Sequence, residues 1–198
     1  MTQRLTENLL VSFNCNPPVS DSVVEAFELE SSLQLPRDYV DFLKTGDGGQ
    51  GFIGKNTYLI LWKLEEILEF NIAYEVHEDA PGLLLIGSDG GGEAFAFDTH
   101  SSPWPVVQIP FVGMNRELIA VLAPDFASFL EYLFQMPNGP RKVESSPFAG
   151  KEIFEIKPVI LGGSPTDSAN KVTLTRDEHI EAVHYWNRLI RDLRKRSE

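Results

Sequence analysis

The hydrophobic pattern is most informative over residues 82–98, where an apolar run, a glycine-rich turn and an alternating segment follow one another. Residues 83–86 are continuously apolar, which is typical of a strand covered on both faces. Residues 88–92 are types that tolerate positive φ. In residues 93–98 phenylalanine and alanine alternate, so both rings lie on one face. We predict a β-hairpin with a glycine tip at the centre of a sheet.

Helical spacing of apolar residues predicts two helices before the hairpin. Ser20 or Asp21 can cap the first, and Pro36 opens the second, which a glycine-rich loop follows. Residues 57–62 then predict the first strand. It leads directly into a third helix with apolar positions between residues 64 and 72.

The same patterns continue beyond the hairpin. Residues 105–110 predict a short strand limited by prolines, hence near a sheet edge, and residues 117–122 predict a buried strand. Pro124 starts a helix with five apolar residues at helical spacing. Thr175 and Glu178 form a capping box that opens a last helix of about 20 residues.

Composition changes divide the chain into four parts. Prolines and glycines are concentrated in residues 137–150, which is the composition of a linker. We expect an N-terminal arm at residues 1–19, a main domain at 20–136, this linker, and a strand–loop–helix extension at 151–198.

The overall charge restricts the class of partner. The chain of 198 residues has a formal net charge of −12, and DNA or RNA binding needs lysine and arginine to contact phosphates. We therefore expect no nucleic-acid partner and favour a basic partner. The single cysteine, Cys15, excludes an intramolecular disulfide and a cysteine-based zinc cluster. No signal peptide or membrane-length apolar run is visible, so no membrane partner and a cytoplasmic location are expected.

The charge is unevenly distributed along the chain. Residues 1–150 contain 8 basic and 21 acidic residues, whereas residues 151–198 contain 9 and 8. One explanation is a favourable interaction of the basic end of the last helix with its dipole. The other is that this end docks onto the acidic body of its own chain or of a second copy, as a homodimer. The basic residues concerned are Arg188, Arg191, Arg194, Lys195 and Arg196.

The glycine-rich turn does not predict a phosphate site. A phosphate cradle needs backbone N–H groups at a helix N-terminus and usually a lysine, but this turn leads into a strand beside Asp89 and Glu93. A carboxylate metal or hydrolase site formed with Asp98 is also disfavoured, because Glu93 and Asp98 point to opposite faces of an ideal strand. His179 and His184 are five residues apart, which is poor spacing for a shared metal. We predict no cofactor, no metal and no enzymatic activity.

Five short motifs, in order, resemble the SMI1/KNR4 (SUKH) family over about residues 20–135. One departure is Thr45-Gly46-Asp47, where the family commonly has Asn-Gly. The motifs are Leu35-Pro36-Arg37-Asp38-Tyr39-Val40-Asp41-Phe42-Leu43, Gly48-Gly49, Leu61-Trp62-Lys63-Leu64-Glu65-Glu66, Ile86-Gly87-Ser88-Asp89-Gly90-Gly91-Gly92-Glu93 and Ala123-Pro124-Asp125-Phe126-Ala127-Ser128-Phe129-Leu130.

The resemblance implies an α+β fold with a central, mostly antiparallel sheet flanked by helices, here followed by the extension with its long helix. It also implies, in bacteria, a non-catalytic immunity protein that binds and neutralises a cognate polymorphic toxin, often a nuclease. Its fungal members are regulators of cell-wall synthesis, so a regulatory or scaffold adaptor without a toxin partner is the alternative. The extension lies outside the resemblance.

Charge and position select the candidate partner-binding residues. An acidic body complements the basic surface of a toxin that cuts nucleic acid and accelerates association. Trp104 lies between two prolines and could anchor a partner, although covering a core edge is the commoner role of such a residue. The candidates are Asp47, Glu65, Glu66, Glu69, Asp89, Glu93 and Trp104.

Overall fold

A seven-stranded antiparallel sheet forms the centre of the protein. The computed structural model describes residues 12–54, 57–136 and 150–196. Each strand of this sheet pairs with its neighbours in sequence, so β4 lies in the middle and the β4–β5 hairpin is central, as predicted. The strands are β1 (Ser12–Cys15), β2 (Gly49–Ile53), β3 (Thr57–Leu61), β4 (Leu83–Ser88), β5 (Glu93–Asp98), β6 (Val106–Pro110) and β7 (Ala120–Ala123).

Helices flank this sheet, and the described part of the extension adds a two-stranded antiparallel sheet and a long helix. The α+β fold class is confirmed, as is the capping box of the last helix. Most of the predicted linker and residues 1–11 lie outside the described residues. The remaining elements are α1 (Asp21–Ser31), α2 (Arg37–Leu43), α3 (Leu64–Ala73), α4 (Val76–Asp79), α5 (Phe126–Gln135), β8 (Lys151–Glu155), β9 (Lys171–Thr175) and α6 (Arg176–Lys195).

The alternation of phenylalanine and alanine along β5 gives the strand one aromatic face and one alanine face. Phe95 packs edge-on against Phe129 of α5 at 5.0 Å between ring centroids, and Phe97 packs against Tyr39 of α2 at 5.2 Å. Ala94 and Ala96 lie on the opposite face, where Ala94 is paired with Ser88 of β4. The Ser88 hydroxyl donates to Glu152 of β8 at 2.7 Å. The extension therefore covers the alanine face of the sheet.

The structure differs from the prediction at β1 and β2. Residues 12–15, expected in a loose arm, form an edge strand, and the glycine-rich loop after α2 continues as β2. Gly49 and Gly51 have φ of +137° and +154°. A Cβ on either would come closer than 3.0 Å to a backbone oxygen of β1. Because β2 needs glycine for this close approach, it lacks the apolar alternation by which strands are recognised.

The prediction of a buried strand at residues 117–122 is also wrong. Residues Arg116–Leu118 form a 3₁₀ turn, and β7 is an edge strand that pairs with β6 alone among the described strands. Val121 is 66% exposed. A continuous apolar run at the edge of a sheet does not have to be covered on both faces.

Asn187 joins α6 to the loop that follows β6. This side chain is 3% exposed, accepts from the Gly113 N–H at 2.6 Å and donates to the Phe111 carbonyl oxygen at 3.0 Å. Val183, one turn earlier, is fully buried in the main hydrophobic cluster. The extension and the main domain therefore share one core.

The basic end of α6 docks onto the acidic body of its own chain. The Arg191 guanidinium contacts Glu75 at 2.5 Å, Glu78 at 3.0 Å and Asp79 at 3.2 Å. Hydrogen bonding to this guanidinium lowers the pKa of Glu75. Arg194 and Lys195 lie in the last turn of α6, where the helix dipole also favours them. Docking onto the acidic body therefore explains Arg191, and the interaction with the helix dipole applies to Arg194 and Lys195.

The burial of His179 predicts that the stability of the protein depends on pH. It is fully buried among Tyr74, Phe111 and Phe154, and its Nδ1 lies 2.8 Å from the Tyr74 hydroxyl. Burial lowers the pKa of His179 from 6.5; the nearby Arg176 acts in the same direction and Glu152 opposes it. The folded protein therefore binds fewer protons at His179 than the unfolded chain does below about pH 6.5.

We expect the free energy of unfolding to fall as the pH is lowered through 6.5. The slope contributed by this histidine approaches about 1.4 kcal/mol per pH unit. Urea unfolding between pH 8 and pH 5 checks this, with His179→Gln expected to flatten the profile. His77, which is 71% exposed at the side chain, gives the matched control His77→Gln. Equal pH profiles for wild type and His179→Gln would contradict the prediction.

Candidate partner-binding groove

Helices α1 and α3 lie side by side and leave an open groove between them. Its volume is about 530 Å³. Each helix buries one stripe in the core, Val24 and Phe27 from α1 and Leu64 and Ile67 from α3. The groove is lined by Phe27 and Leu64 of these stripes and by the side chains next to them.

The floor of the groove is apolar and its rim is acidic. The carboxylates are Glu30 from α1 and Glu65 and Glu69 from α3, all exposed. None of the three forms an ion pair with another described residue. Two rim helices thus bring three negative charges around one apolar cleft. The apolar lining consists of Val23, Ala26, Phe27, Leu64, Leu68 and Ile72.

Ile72 adds apolar surface at one end of this groove. It is 70% exposed although it belongs to the groove lining. Because Ile72 continues the apolar lining of the groove, it enlarges the apolar area that a ligand could bury there. The arrangement suits a ligand with both apolar and basic groups.

Two of the predicted candidates, Asp47 and Asp89, have structural roles at the glycine-rich loop and at the hairpin turn. Asp47 is 6% exposed, and its Oδ1 accepts from the Leu64 N–H at 2.8 Å, so it caps the N-terminus of α3. Burial raises the pKa of Asp47, and Glu65 and Glu66 raise it further. Asp89 is 3% exposed, and its Oδ1 accepts from the N–H groups of Gly91 and Glu93, which fixes the hairpin turn. Neither aspartate has the exposure that a surface contact needs.

The other candidates lie in three places. Glu66 is half-buried and accepts from the Lys63 N–H at 3.4 Å at the start of α3. Glu93 lines a second cavity of about 430 Å³, between the main domain and the extension. Trp104 is half-buried and packs against Phe97 at 6.0 Å, so it covers the edge of the core. Of the seven candidates, Glu65 and Glu69 lie in the groove.

Glu30 is the groove carboxylate that the sequence did not single out. It is near the end of α1, 35 residues before Glu65, and nothing in its local pattern distinguishes it from its neighbours Glu25 and Glu28. The i, i+4 spacing of Glu65 and Glu69 places those two on one helix face. No pattern in the sequence predicts that α1 packs beside α3.

The described residues hold no cluster of three or more histidine, cysteine, aspartate or glutamate side chains that could bind a metal ion. In the same ranges, no helix combines the length and the apolar character required to cross a membrane. The groove between α1 and α3, with its apolar floor and its exposed carboxylates from two helices, is the candidate site.

These features place the protein in the class of α+β domains with a meandering antiparallel sheet and an acidic groove between two helices. The model of the SMI1/KNR4 family (SUKH-1) matches residues 18–132, and the chain belongs to this family. The match ends before the extension. A comparison with curated proteins found no match.

Proposed function

We propose that this protein is a cytoplasmic immunity protein that neutralises a basic bacterial toxin by binding it without catalysis. Membership of the SMI1/KNR4 family supports this role. The observation that carries the proposal is the groove between α1 and α3, where Glu30, Glu65 and Glu69 surround an apolar floor. A toxin that cuts nucleic acid presents lysine and arginine, which this groove complements in charge.

Among the described residues, no ion pair neutralises the groove carboxylates. Several other acidic residues are paired within the described chain: Asp98 with Arg116 at 2.8 Å, and Asp21 with Lys44 at 2.5 Å. The three groove carboxylates take part in no such pair. They therefore keep their charge available for steering a basic partner, which raises the association rate.

Reversing the groove charges tests the proposal. We expect the double variant Glu65→Lys/Glu69→Lys to weaken binding of the toxin domain encoded beside this gene by about 10- to 100-fold, chiefly through slower association. Biolayer interferometry at two salt concentrations measures both rate constants. The matched control is Glu25→Lys/Asp41→Lys, which changes the net charge equally at exposed positions outside the groove.

Equal losses of affinity in the two double variants would show that binding depends on the net charge of the protein and not on the groove. Absence of any complex with the wild-type protein would exclude the immunity role and leave a regulatory adaptor. Protection of toxin-expressing cells should follow the measured affinities in the same order.

A further inference from the structure

The outer side of α6 carries an exposed apolar stripe. Tyr185, Leu189 and Leu193 follow one another at four-residue spacing and are 64%, 37% and 45% exposed. They lie away from the buried face of the helix, which includes Val183 and Ile190. Residues 185 to 193 span about 12 Å along the helix axis. Such a stripe on an otherwise charged helix is typical of a helix–helix contact.

The charges at the two ends of the stripe have opposite signs. Glu181 lies one turn before Tyr185, and Arg196 lies just beyond Leu193. Neither forms an ion pair within the described ranges. A helix that is acidic at one end and basic at the other is complementary to itself in the antiparallel orientation.

We propose that the outer side of α6 binds a second copy of this chain, with the two helices antiparallel across a two-fold axis near Leu189. Tyr185 of one copy then lies against Leu193 of the other, and Leu189 lies against its equivalent. In this register Glu181 of one copy comes opposite Arg196 of the other. A two-fold contact repeats each pair, so one set of residues supplies both halves of the interface.

The distribution of charge favours this face over the rest of the surface. Two copies of a chain with net charge −12 repel each other most strongly through residues 1–150, which carry 21 acidic and 8 basic residues. The extension is close to neutral, so repulsion is weakest where the two α6 helices meet. A contact of one stripe is smaller than a permanent interface, which buries about 1,200 Å² or more, and self-association should depend on concentration.

Sedimentation of the full chain tests the proposal. We expect the weight-average mass to rise toward that of two chains as the protein concentration is raised, as for a small interface. Leu189→Glu should weaken self-association at least 10-fold. Leu29→Glu is the matched control, because Leu29 is 84% exposed on α1. A monomer at every concentration, or an equal effect of Leu29→Glu, would overturn the proposal.

Charge exchange tests the antiparallel register. Glu181→Arg and Arg196→Glu should each weaken self-association, and the double variant should restore it to near the wild-type level. Failure of the double variant to recover would overturn the antiparallel arrangement.

A covalent test does not depend on the strength of the interface. In a Cys15→Ser background, Leu189→Cys should form a disulfide-linked dimer on mild oxidation, since the two thiols meet at the axis. Leu29→Cys should remain monomeric under the same conditions. Equal crosslinking of the two cysteine variants would contradict the proposed contact.

Discussion

Removing residues 151–198 is expected to abolish the cooperative unfolding of the protein. The extension contributes Phe154, Val183 and Ile190 to buried positions, each 6% exposed or less. Burying one such side chain stabilises a protein by about 1.5–3 kcal/mol. Three of them together approach the whole stability of an ordinary domain, about 5–15 kcal/mol. The truncated chain should therefore lack a sharp thermal transition.

The same deletion uncovers aromatic surface on the main domain. Tyr74 and Phe111, both fully buried, pack against His179 of α6. We expect the truncated chain to bind a hydrophobic dye such as ANS and to lose near-ultraviolet circular dichroism while keeping much of its secondary structure. An unchanged melting temperature would contradict this prediction.

A single substitution tests the contact between the extension and the main domain with a smaller expected loss of stability. Asn187→Leu leaves the Gly113 N–H and the Phe111 carbonyl without their partner, and we expect a loss of about 2–4 kcal/mol in unfolding free energy. Arg188→Ala, at an exposed neighbouring position, is the control and should stay within about 0.5 kcal/mol of wild type. Both are measured by urea unfolding.

This coupling decides how function should be tested. The family match ends at residue 132, but the fold continues through α6 to Lys195. A truncated protein that failed to bind a toxin would report lost stability as much as a lost contact. Substitutions at exposed groove carboxylates, such as Glu65, separate the two because they leave the core intact.

The parts of the fold that the sequence predicts are those with local signals. The β4–β5 hairpin combines an apolar run, a glycine turn and an alternating strand within 17 residues. The capping box of α6 needs only Thr175 and Glu178, and both of its hydrogen bonds form as expected. In each case neighbouring residues supply the whole physical reason for the element.

The parts that the sequence misses depend on contacts between distant residues. β2 is stabilised by pairing on both sides and by the lack of a Cβ at Gly49 and Gly51, so hydrophobic periodicity does not reveal it. In the sequence Asp47 resembles a surface acid, but in the fold it is buried and accepts from the Leu64 N–H, 17 residues away. Neither the pairing of β2 nor the hydrogen bond of Asp47 can be predicted from neighbouring residues alone.

The candidate site was predicted in part for the same reason. Glu65 and Glu69 are on one helix and share a face, whereas Glu30 joins them only through the packing of α1 against α3. The count of charged residues predicts an acidic surface, but it does not predict where the exposed carboxylates lie. In the fold, the carboxylates at Asp47 and Asp89 serve as caps and turn-formers, and the exposed negative charge at the groove comes from glutamates.

The ion pair between Glu152 and Arg176 gives the second large expected effect. The Glu152 side chain is 1% exposed and the Arg176 side chain 20% exposed. The guanidinium lies over the Trp62 ring at 5.1 Å and the Phe70 ring at 5.2 Å. Removing one partner of a buried pair leaves an uncompensated charge in a poorly solvated place.

We expect Arg176→Met to lower the unfolding free energy by about 3–5 kcal/mol at pH 7.5. Glu152→Gln should cost less, because the remaining guanidinium keeps its partial exposure and its two aromatic rings. The double variant should lose less than the sum of the single losses, since neither charge is then left alone. Arg37→Met, at an exposed position of α2, is the matched control.

The double variant distinguishes a lost ion pair from lost packing. In Arg176→Met the buried Glu152 carboxylate has only the Ser88 hydroxyl as a described hydrogen-bond donor, so adding Glu152→Gln should recover part of the loss. A double variant whose loss equals the sum of the two single losses would assign the effect of Arg176→Met to missing contacts with Trp62 and Phe70 and would contradict the electrostatic explanation.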